Sequence, residues 1–400
     1  MTREAVIVSA VRTPIAKYAS ALKEYEGHEL GGIAVKEAVA RAGINPAEIT
    51  EVYMGNAEGA PGDLGRVIAL EAGLPVEIPG IQFDRQCASG LETICVAAAM
   101  VESGHGDIYV AGGAESMTNN PYFMKKINKP SRYYPLPEFF TVVMSPPKGE
   151  YGNPDMGVTA ENVLEYAQEK LGYTVSREEL DAFAAESHKR AAAAIEAGVF
   201  KEQIVPVPSR DRKKKGEMFD TDESPRPETT VESLGALRPV FKKDGSVTAG
   251  NSCPTNDAAS AVVVMSAEKA KELGKTPLLK VKGFASVGLD PNYMGLGPIG
   301  AVRKLLDKTG VSIDEVEVIE INEAFASQAI ISCRELGLDM ARVNPNGGAI
   351  ALGHALGATG AVLTTKAAYW MKDHPAGKRY AIVTMCVGGG EGSAAMFERP

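Results

Sequence analysis

The sequence predicts an α/β fold in which two copies of one unit are separated by an inserted segment. Three observations lead to this prediction. Strand-like and helix-like segments alternate along the chain, which is typical of sheets covered by helices on both faces. A helix–turn–strand pattern recurs after an offset of 267 residues. The region from about 119 to 249 is rich in proline and differs from both copies.

The repeat is clearest in residues 34–54 and 301–321. Each segment has apolar residues at helical spacing, a glycine that ends the helix, a short turn and a β-branched strand. Four positions are identical in the two segments, namely Ala34 and Ala301, Val35 and Val302, Gly43 and Gly310, and Glu48 and Glu315.

The same offset pairs Cys87 with His354 and Gly90 with Gly357. Both pairs lie in glycine- and alanine-rich turns that lead into a helix. We predict that each helix is followed by a short strand and then by glycines, with strands at 107–111 and 380–384 and glycines at 112–113 and 388–390. Pseudo-symmetry would bring the two turns face to face, so that a thiol and an imidazole occupy equivalent positions.

Charge and cysteine usage exclude several function classes. Lys and Arg number 42 against 51 Asp and Glu, and the net charge of −9 argues against binding to nucleic acid. The five cysteines show no CxxC pair and no metal-ligand spacing, which favours a reducing, cytoplasmic location without a metal site. The start has no signal-peptide core, and no run of 18 apolar residues predicts a membrane span.

Cys87 and His354 are the first candidates for chemistry. Cys87 precedes a helix pattern from Leu91 to Val101, and the positive end of that helix and a nearby histidine are expected to lower the pKa of the thiol. The alternatives are a small buried hydrophobe at Cys87 and a hydrogen-bonded core histidine at His354. Together the two residues would be the nucleophile and base that thiol acyl transfer needs.

Two further positions follow strand patterns. Cys386 precedes a glycine-rich segment whose N–H groups can stabilise an oxyanion, and its alternative is a core cysteine before a tight turn. Asn322 follows the strand of the second repeat, where site residues often lie, although asparagine is equally a good helix N-cap. A basic cluster at 210–215 is either a solvated loop or a site for the phosphates of an anionic ligand.

Six segments together resemble the thiolase family along essentially the whole chain. They are Cys87-Ala-Ser-Gly-Leu, Gly112-Gly-Ala-Glu-Ser-Met, Met156-Gly-Val-Thr-Ala-Glu-Asn, Asn322-Glu-Ala-Phe-Ala, Asn346-Gly-Gly-Ala-Ile-Ala-Leu-Gly-His and Cys386-Val-Gly-Gly-Gly-Glu-Gly.

The resemblance implies the thiolase fold, which has five layers, α-β-α-β-α, built from two duplicated halves and an inserted loop domain. The N-terminal half would comprise residues 1–118 with 250–270, the loop domain residues 119–249, and the C-terminal half residues 271–400. It also implies a homo-oligomer, either a dimer or a dimer of dimers, and no cofactor, since coenzyme A is a substrate.

The resemblance assigns roles to individual residues. Cys87 would be the nucleophile, His354 would activate it, and Cys386 would move the α-proton of acetyl-CoA. Asn322 would hold a water in one oxyanion hole, while the backbone N–H groups of Cys87 and Gly388 form the other. The expected substrate-binding residues are Met156, Cys253, Met294 and Phe325.

The implied reaction is reversible cleavage of a 3-oxoacyl-CoA by coenzyme A, or the reverse Claisen condensation. The alternatives are a non-catalytic subunit that binds acyl-CoA and a related condensing enzyme, such as a ketoacyl synthase, which carries a histidine where this chain has Asn322. The chain departs from the family at Ala355, where proline is usual, and at Cys253-Pro254, where Ser-Gly or Ser-Thr is usual. Aromatic residues in 119–155 predict a pocket for acyl groups other than acetoacetyl.

Overall fold

The alternating segments fold into strands and helices in a computed structural model that describes residues 3–59, 62–124, 139–140, 151–152 and 154–400. The strands are β1 (Ala5–Arg12), β2 (Ala16–Lys17), β3 (Glu51–Gly55), β4 (Gly80–Phe83), β5 (Ile108–Ser116), β6 (Phe123–Met124), β7 (Phe139–Phe140), β8 (Val207–Pro208), β9 (Met218–Phe219), β10 (Asn256–Ser266), β11 (Leu279–Gly288), β12 (Val316–Ile321), β13 (Tyr380–Val387) and β14 (Glu391–Glu398). The helices are α1 (Gly27–Ala42), α2 (Leu64–Glu71), α3 (Ser89–Glu102), α4 (Met156–Tyr166), α5 (Arg177–Glu196), α6 (Val231–Gly235), α7 (Ala267–Glu272), α8 (Gly297–Thr309), α9 (Ala326–Glu335), α10 (Ala349–Leu352) and α11 (Leu356–Asp373).

The two copies of the repeat fold alike. In the first copy α1 leads into β3, and in the second α8 leads into β12. Gly43 ends α1 with φ 58° and Gly310 ends α8 with φ 68°. Glycine adopts this left-handed conformation without the steric cost that a Cβ would bring. The predicted helix, glycine stop and strand are therefore confirmed in both copies.

The main sheet has two parts that meet at one edge. Strands β4, β3, β5, β10 and β1 lie side by side in the first part, and β11, β14, β13 and β12 in the second. The ladder between β1 and β11 joins the parts through two residue pairs, Val6 with Lys280 and Ile7 with Leu279. The strand pairs β3–β4, β3–β5 and β12–β13 are parallel, whereas β1, β10, β11 and β14 pair with their neighbours antiparallel.

Helices cover both faces of each part and make five layers. One apolar cluster, which includes Leu30, joins α1 and α2 to the outer face of the first part. A second, which includes Leu91 and Ala361, lies between the two parts and surrounds α3 and α11. A third, which includes Leu305, joins α8 to the outer face of the second part. The predicted five-layered α/β fold is confirmed.

The central helices approach at backbone distance. A Cβ on Gly90 of α3 would lie 2.6 Å from the carbonyl oxygen of Gly357 in α11, and a Cβ on Gly113 would lie 1.9 Å from the same oxygen. The prediction that Gly112 and Gly113 follow a strand is wrong, because β5 continues through Ser116. These two glycines lie within the strand, where neighbouring backbone leaves no room for a side chain.

The predicted division into 1–118 with 250–270, 119–249 and 271–400 stays a prediction. Strand β10 follows the inserted segment in the chain and pairs with β1 and β5 of the first part. Within the inserted segment, α5 is the longest helix of the described residues.

Replacing Gly113 by alanine is expected to destabilise the protein. The new methyl group would overlap the Gly357 carbonyl, and such overpacking typically costs about 1–3 kcal/mol of unfolding free energy. Urea denaturation followed by circular dichroism measures the change. Gly235→Ala is the control, because a Cβ there meets nothing within 4 Å. Equal unfolding midpoints for the two variants would contradict the close approach.

Candidate active site

Cys87 lies in a short turn two residues before α3. The hydroxyl of Ser89 donates to the carbonyl oxygen of Gln86 at 2.6 Å and accepts the N–H of Arg85 at 2.9 Å. Gln86 has φ 46°, a left-handed conformation that costs a non-glycine residue on the order of 1 kcal/mol. Such strain is retained at functional positions when the surrounding contacts fix the turn, as Ser89 does here.

His354 lies in the equivalent turn before α11. Its backbone N–H donates to Oδ1 of Asn256 at 3.0 Å. The preceding Gly353 has φ 114°, and a Cβ there would lie 2.4 Å from Cγ of Asn256, so only glycine fits beneath this side chain. Ala355 has φ −84°, close to the value that proline imposes, so the departure from the usual proline leaves the backbone course unchanged.

The hydrogen bonds around His354 fix its tautomer. The Thr359 hydroxyl has one hydrogen, which it donates to the carbonyl oxygen of Ala355 at 2.9 Å. It must therefore accept the hydrogen of the His354 Nδ1, which lies 2.7 Å away. Nε2 is then the unprotonated nitrogen, and Nδ2 of Asn322 donates to it at 3.3 Å. The imidazole presents a basic nitrogen toward Asn322.

Asn322 directly follows β12 and continues its ladder. Its backbone N–H donates to the carbonyl oxygen of Thr384 at 3.0 Å. The N-cap alternative for Asn322 is wrong, because α9 begins at Ala326 and its N-cap residue is Phe325. Its Oδ1 is buried and meets no donor among the described residues, so this oxygen is available to a donor brought into the site.

Cys386 lies near the end of β13 and is fully buried. It packs in one apolar cluster with Met156, Met294 and Phe325, three of the four predicted substrate-binding residues.

The fourth predicted substrate-binding residue, Cys253, is next to this cluster. Its backbone N–H donates to the carbonyl oxygen of Ala324 at 3.0 Å. The charges of Cys253, Cys386 and Cys87 act on one another's ionisation, so the three thiols share one region. The structure thus brings the three thiols together in one region, and Asn322 contacts His354.

The Cys87 thiol is protonated in the free protein. Burial raises the pKa of this thiol to about 11, and the carboxyl groups of Glu115 and Glu58 add to the rise. The backbone N–H groups of Gly388 and Cys87 point at the sulfur and oppose it. The expectation of a lowered pKa is therefore wrong, because loss of water around the sulfur outweighs the two N–H groups.

His354 and Cys386 are neutral as well. Burial lowers the pKa of His354 to about 4, so the imidazole is unprotonated at neutral pH and can accept a proton. Burial raises the pKa of the Cys386 thiol well above its ordinary value. The site therefore holds two thiols with their protons and one imidazole without a charge.

The basic cluster at 210–215 is partly engaged elsewhere. Arg210 donates to the carboxylate of Glu29, and its guanidinium lies 3.8 Å from the ring centroid of Tyr25. Two other cations, Lys17 and Arg226, have no role in the sequence-based predictions.

Lys17 and Arg226 line a cavity of about 50 Å³. Ser252 and Pro254, on either side of Cys253, line it as well. Thr359 and Asn256 were also missed. No sequence pattern marks any of these four residues, because they reach the site only through long-range contacts.

The predicted aromatic acyl pocket falls largely outside the described residues, at 125–138, 141–150 and 153. Within the described part, Tyr122 is exposed. The same part contains no group of three His, Cys, Asp or Glu side chains that could hold a metal ion. No helix described here is long and apolar enough to cross a membrane.

Comparison with known proteins confirms the resemblance. The family model "Thiolase, N-terminal domain" matches residues 5–268 and "Thiolase, C-terminal domain" matches residues 275–399. The chain is 44% identical to the beta-ketothiolase BktB of Cupriavidus necator, with both chains covered completely. It is 43% identical to the beta-ketoadipyl-CoA thiolase of Pseudomonas aeruginosa, again with complete coverage of both chains. The crystal structure of the Bacillus anthracis acetyl-CoA acetyltransferase superposes with a TM-score of 0.92 at 39% identity, covering 100% of this chain and 99% of the other.

Alkylation of Cys87 is expected to depend steeply on pH. Because the thiolate is the reactive form and the pKa is about 11, the rate with iodoacetamide should rise about tenfold per pH unit between pH 7 and 9. Peptide mass spectrometry assigns the modified thiol. The control is Cys253→Ser, which removes the other partly exposed cysteine. A rate that is constant above pH 7 would show a preformed thiolate and contradict the burial argument.

Proposed function

This chain belongs to the thiolase family, and we propose that it cleaves a 3-oxoacyl-CoA with coenzyme A to give acetyl-CoA and a shortened acyl-CoA, or catalyses the reverse condensation. The observation that carries the proposal is the unprotonated Nε2 of His354, whose ring is held by the Thr359 hydroxyl and contacts the Asn322 carboxamide. A neutral imidazole can accept the proton of a neutral thiol and later return it, so no residue of the resting site has to be ionised.

The first half-reaction transfers an acyl group to Cys87. The sulfur attacks the 3-oxo carbon while Nε2 of His354 takes the thiol proton. The bond between the second and third carbons then breaks, and its electrons leave on the enolate of acetyl-CoA. Cys386 gives its proton to that carbon and becomes a thiolate. The raised pKa of Cys386 suits this step, because the thiol keeps its proton until a strong base such as an enolate forms.

The second half-reaction releases the shortened acyl group. The Cys386 thiolate takes the proton of the coenzyme A thiol, and the coenzyme A sulfur attacks the acyl group on Cys87. The Cys87 sulfur leaves and recovers its proton from His354. Every group returns to its starting form, so the cycle needs no oxidant, metal or further cofactor.

Two sets of donors would stabilise the oxygen charge that develops. The backbone N–H groups of Cys87 and Gly388 both point toward the Cys87 sulfur. The carbonyl oxygen of a thioester on Cys87 would lie beside this sulfur, within reach of both donors. Donors fixed in a site without water lower the barrier to forming an oxyanion. On the other side, a water held by Asn322 and the imidazolium of His354, which has accepted the thiol proton, would stabilise the enolate oxygen.

The substrate would extend from the thiols along two surfaces. Met156, Met294 and Phe325 form an apolar wall beside Cys386, which suits the acyl chain. Lys17 and Arg226 line the cavity beside Cys253, and their charges suit the phosphates of coenzyme A. The small volume of this cavity indicates that it receives only part of the ligand.

We include an oligomer and a cytoplasmic location in the proposal. Strand β4 forms an edge of the main sheet, and Ile81 on it is 42% exposed, which suits pairing with a second copy. All five cysteines are free, which suits a reducing compartment.

Mass spectrometry of the acylated protein tests the function. Incubation with a series of 3-oxoacyl-CoA esters of increasing length is expected to add the corresponding shortened acyl group to Cys87. The label should be absent from Cys87→Ser and retained in Cys95→Ser, a buried cysteine of α3 outside the cleft. Labelling of another residue in the wild type would contradict the mechanism.

The same experiment separates the alternative functions. A non-catalytic subunit would bind acyl-CoA without any acylation. A condensing enzyme of the ketoacyl synthase kind would acylate Cys87 but release no acetyl-CoA when coenzyme A is added. Release of acetyl-CoA and a shortened acyl-CoA is the outcome expected here.

Thr359→Val is expected to lower kcat about 10- to 100-fold, because the correct imidazole tautomer is no longer fixed and a positioned base contributes about 10²–10⁴ to the rate. Valine has the same shape but no hydroxyl to accept the Nδ1 hydrogen. Thr359→Ser is the matched control and should stay within about threefold of the wild type, since it keeps that oxygen. Steady-state kinetics at pH 7 and 8 measure both variants. Equal losses in the two variants would show that the methyl group, and not the hydroxyl, matters.

A further inference from the structure

The first half has its own pair of neighbouring strand ends, those of β3 and β5. There, Gly55 at the end of β3 pairs with Gly113 of β5. Asn56 directly follows Gly55, and Glu115 lies two residues beyond Gly113.

The second half has a similar pair of neighbouring strand ends. Ile321 at the end of β12 pairs with Thr384 of β13. The 267-residue offset relates Ile321 to Met54, which pairs with Gly112, so Ala114 is the counterpart of Cys386. Glu115 directly follows that counterpart in the chain.

The Glu115 carboxylate is fully buried and accepts four hydrogen bonds. One oxygen accepts from Nδ2 of Asn56 at 2.6 Å and from the N–H of Glu58 at 3.3 Å. The other oxygen accepts from the N–H groups of Ala57 and Gly357, both at 2.8 Å. All four partners are N–H donors, so each oxygen acts as an acceptor. Burial raises the pKa of Glu115 to about 8, and the N–H groups of Ala57, Gly357 and Glu58 oppose that rise.

The four donors come from two segments of the chain. Residues 56–58 follow β3, in the first half. Gly357 lies in the first turn of α11, directly after the turn that carries His354 and two residues before Thr359. A Cβ on Gly357 would lie 2.7 Å from the Glu115 oxygen, so the helix end rests directly on the carboxylate.

We propose that Glu115 is a positioning residue for His354, because its carboxylate fixes the first turn of α11 to the segment 56–58. The role rests on the proposed acyl transfer, in which His354 must reach the Cys87 proton. Glu115 touches neither the thiol nor the imidazole and acts through the turn that carries the base.

Glu115→Gln tests the anchor with nearly the same shape. A glutamine amide places two hydrogens where two N–H donors point, so one side of the carboxylate loses both hydrogen bonds. Glu58→Gln is the matched control. The Glu58 carboxyl acts on Cys87 only through charge, as Glu115 also does, while its backbone N–H keeps the hydrogen bond to Glu115. Asn56→Ala is a milder second variant that removes one donor.

The first readout is hydrogen exchange measured by mass spectrometry. Glu115→Gln is expected to speed exchange about tenfold or more in peptides that cover 56–58 and the first turn of α11, while peptides from β13 and α8 keep their wild-type rates. Glu58→Gln should leave all four regions unchanged. No local increase, or an equal increase in every peptide, would overturn the anchor.

The second readout is kcat divided by the fraction of protein molecules whose Cys87 can be acylated. Glu115→Gln is expected to lower this kcat at least tenfold with little change in the KM for coenzyme A, because a misplaced base slows the chemical step more than binding. Asn56→Ala should give a smaller loss and Glu58→Gln a change within about threefold. A loss explained wholly by a smaller fraction of acylatable Cys87 would show a merely structural role and overturn the proposal.

The two readouts also separate this inference from the proposed function. If the wild type is not acylated at Cys87 by any acyl-CoA, the proposed function fails and the positioning role with it. Hydrogen exchange then still decides whether Glu115 fixes the turn. If the wild type is acylated and turns over while Glu115→Gln does so equally well, only the inference fails.

Discussion

The backbones of α3 and α11 touch, and the geometry of the site depends on that contact. Gly90 and Gly357 occupy equivalent positions in the two halves, and neither has room for a Cβ. Cys87 and His354 each lie three residues before one of these glycines. The separation of the thiol and the imidazole is therefore set by two rigid backbones, and flexible side chains have little influence on it.

Close packing also determines the ionisation of the candidate catalytic side chains. A contact between backbones excludes water, and loss of water favours the neutral form of every ionisable group. Cys87, Cys386 and His354 are all shifted in that direction. In the proposed mechanism negative charge develops only when a substrate binds, and the N–H groups of Gly388 and Cys87 already point at the Cys87 sulfur.

The sequence predicts the parts of the site that the repeat makes visible. The offset relates Cys87 to His354, and the strand patterns locate Asn322 and Cys386, because helical and strand periodicity are local properties of the chain. The ionisation of Cys87 could not be predicted correctly, since it depends on burial by segments far away in sequence. Thr359 and Glu115 were not assigned roles for the same reason. Their hydrogen-bond partners are set by how helices and strands pack together, and Gly112 and Gly113 were misplaced because only that packing explains glycine within a strand.

The repeat that pairs Cys87 with His354 has a consequence for stoichiometry. A duplicated chain could in principle hold two equivalent reaction centres, one for each half. In the proposed mechanism the first half supplies the nucleophile, while the second half has an imidazole at the equivalent position and also supplies the proton carrier. Duplication would then have produced a single asymmetric centre, in which neither half is complete alone and each chain carries one acyl group at a time.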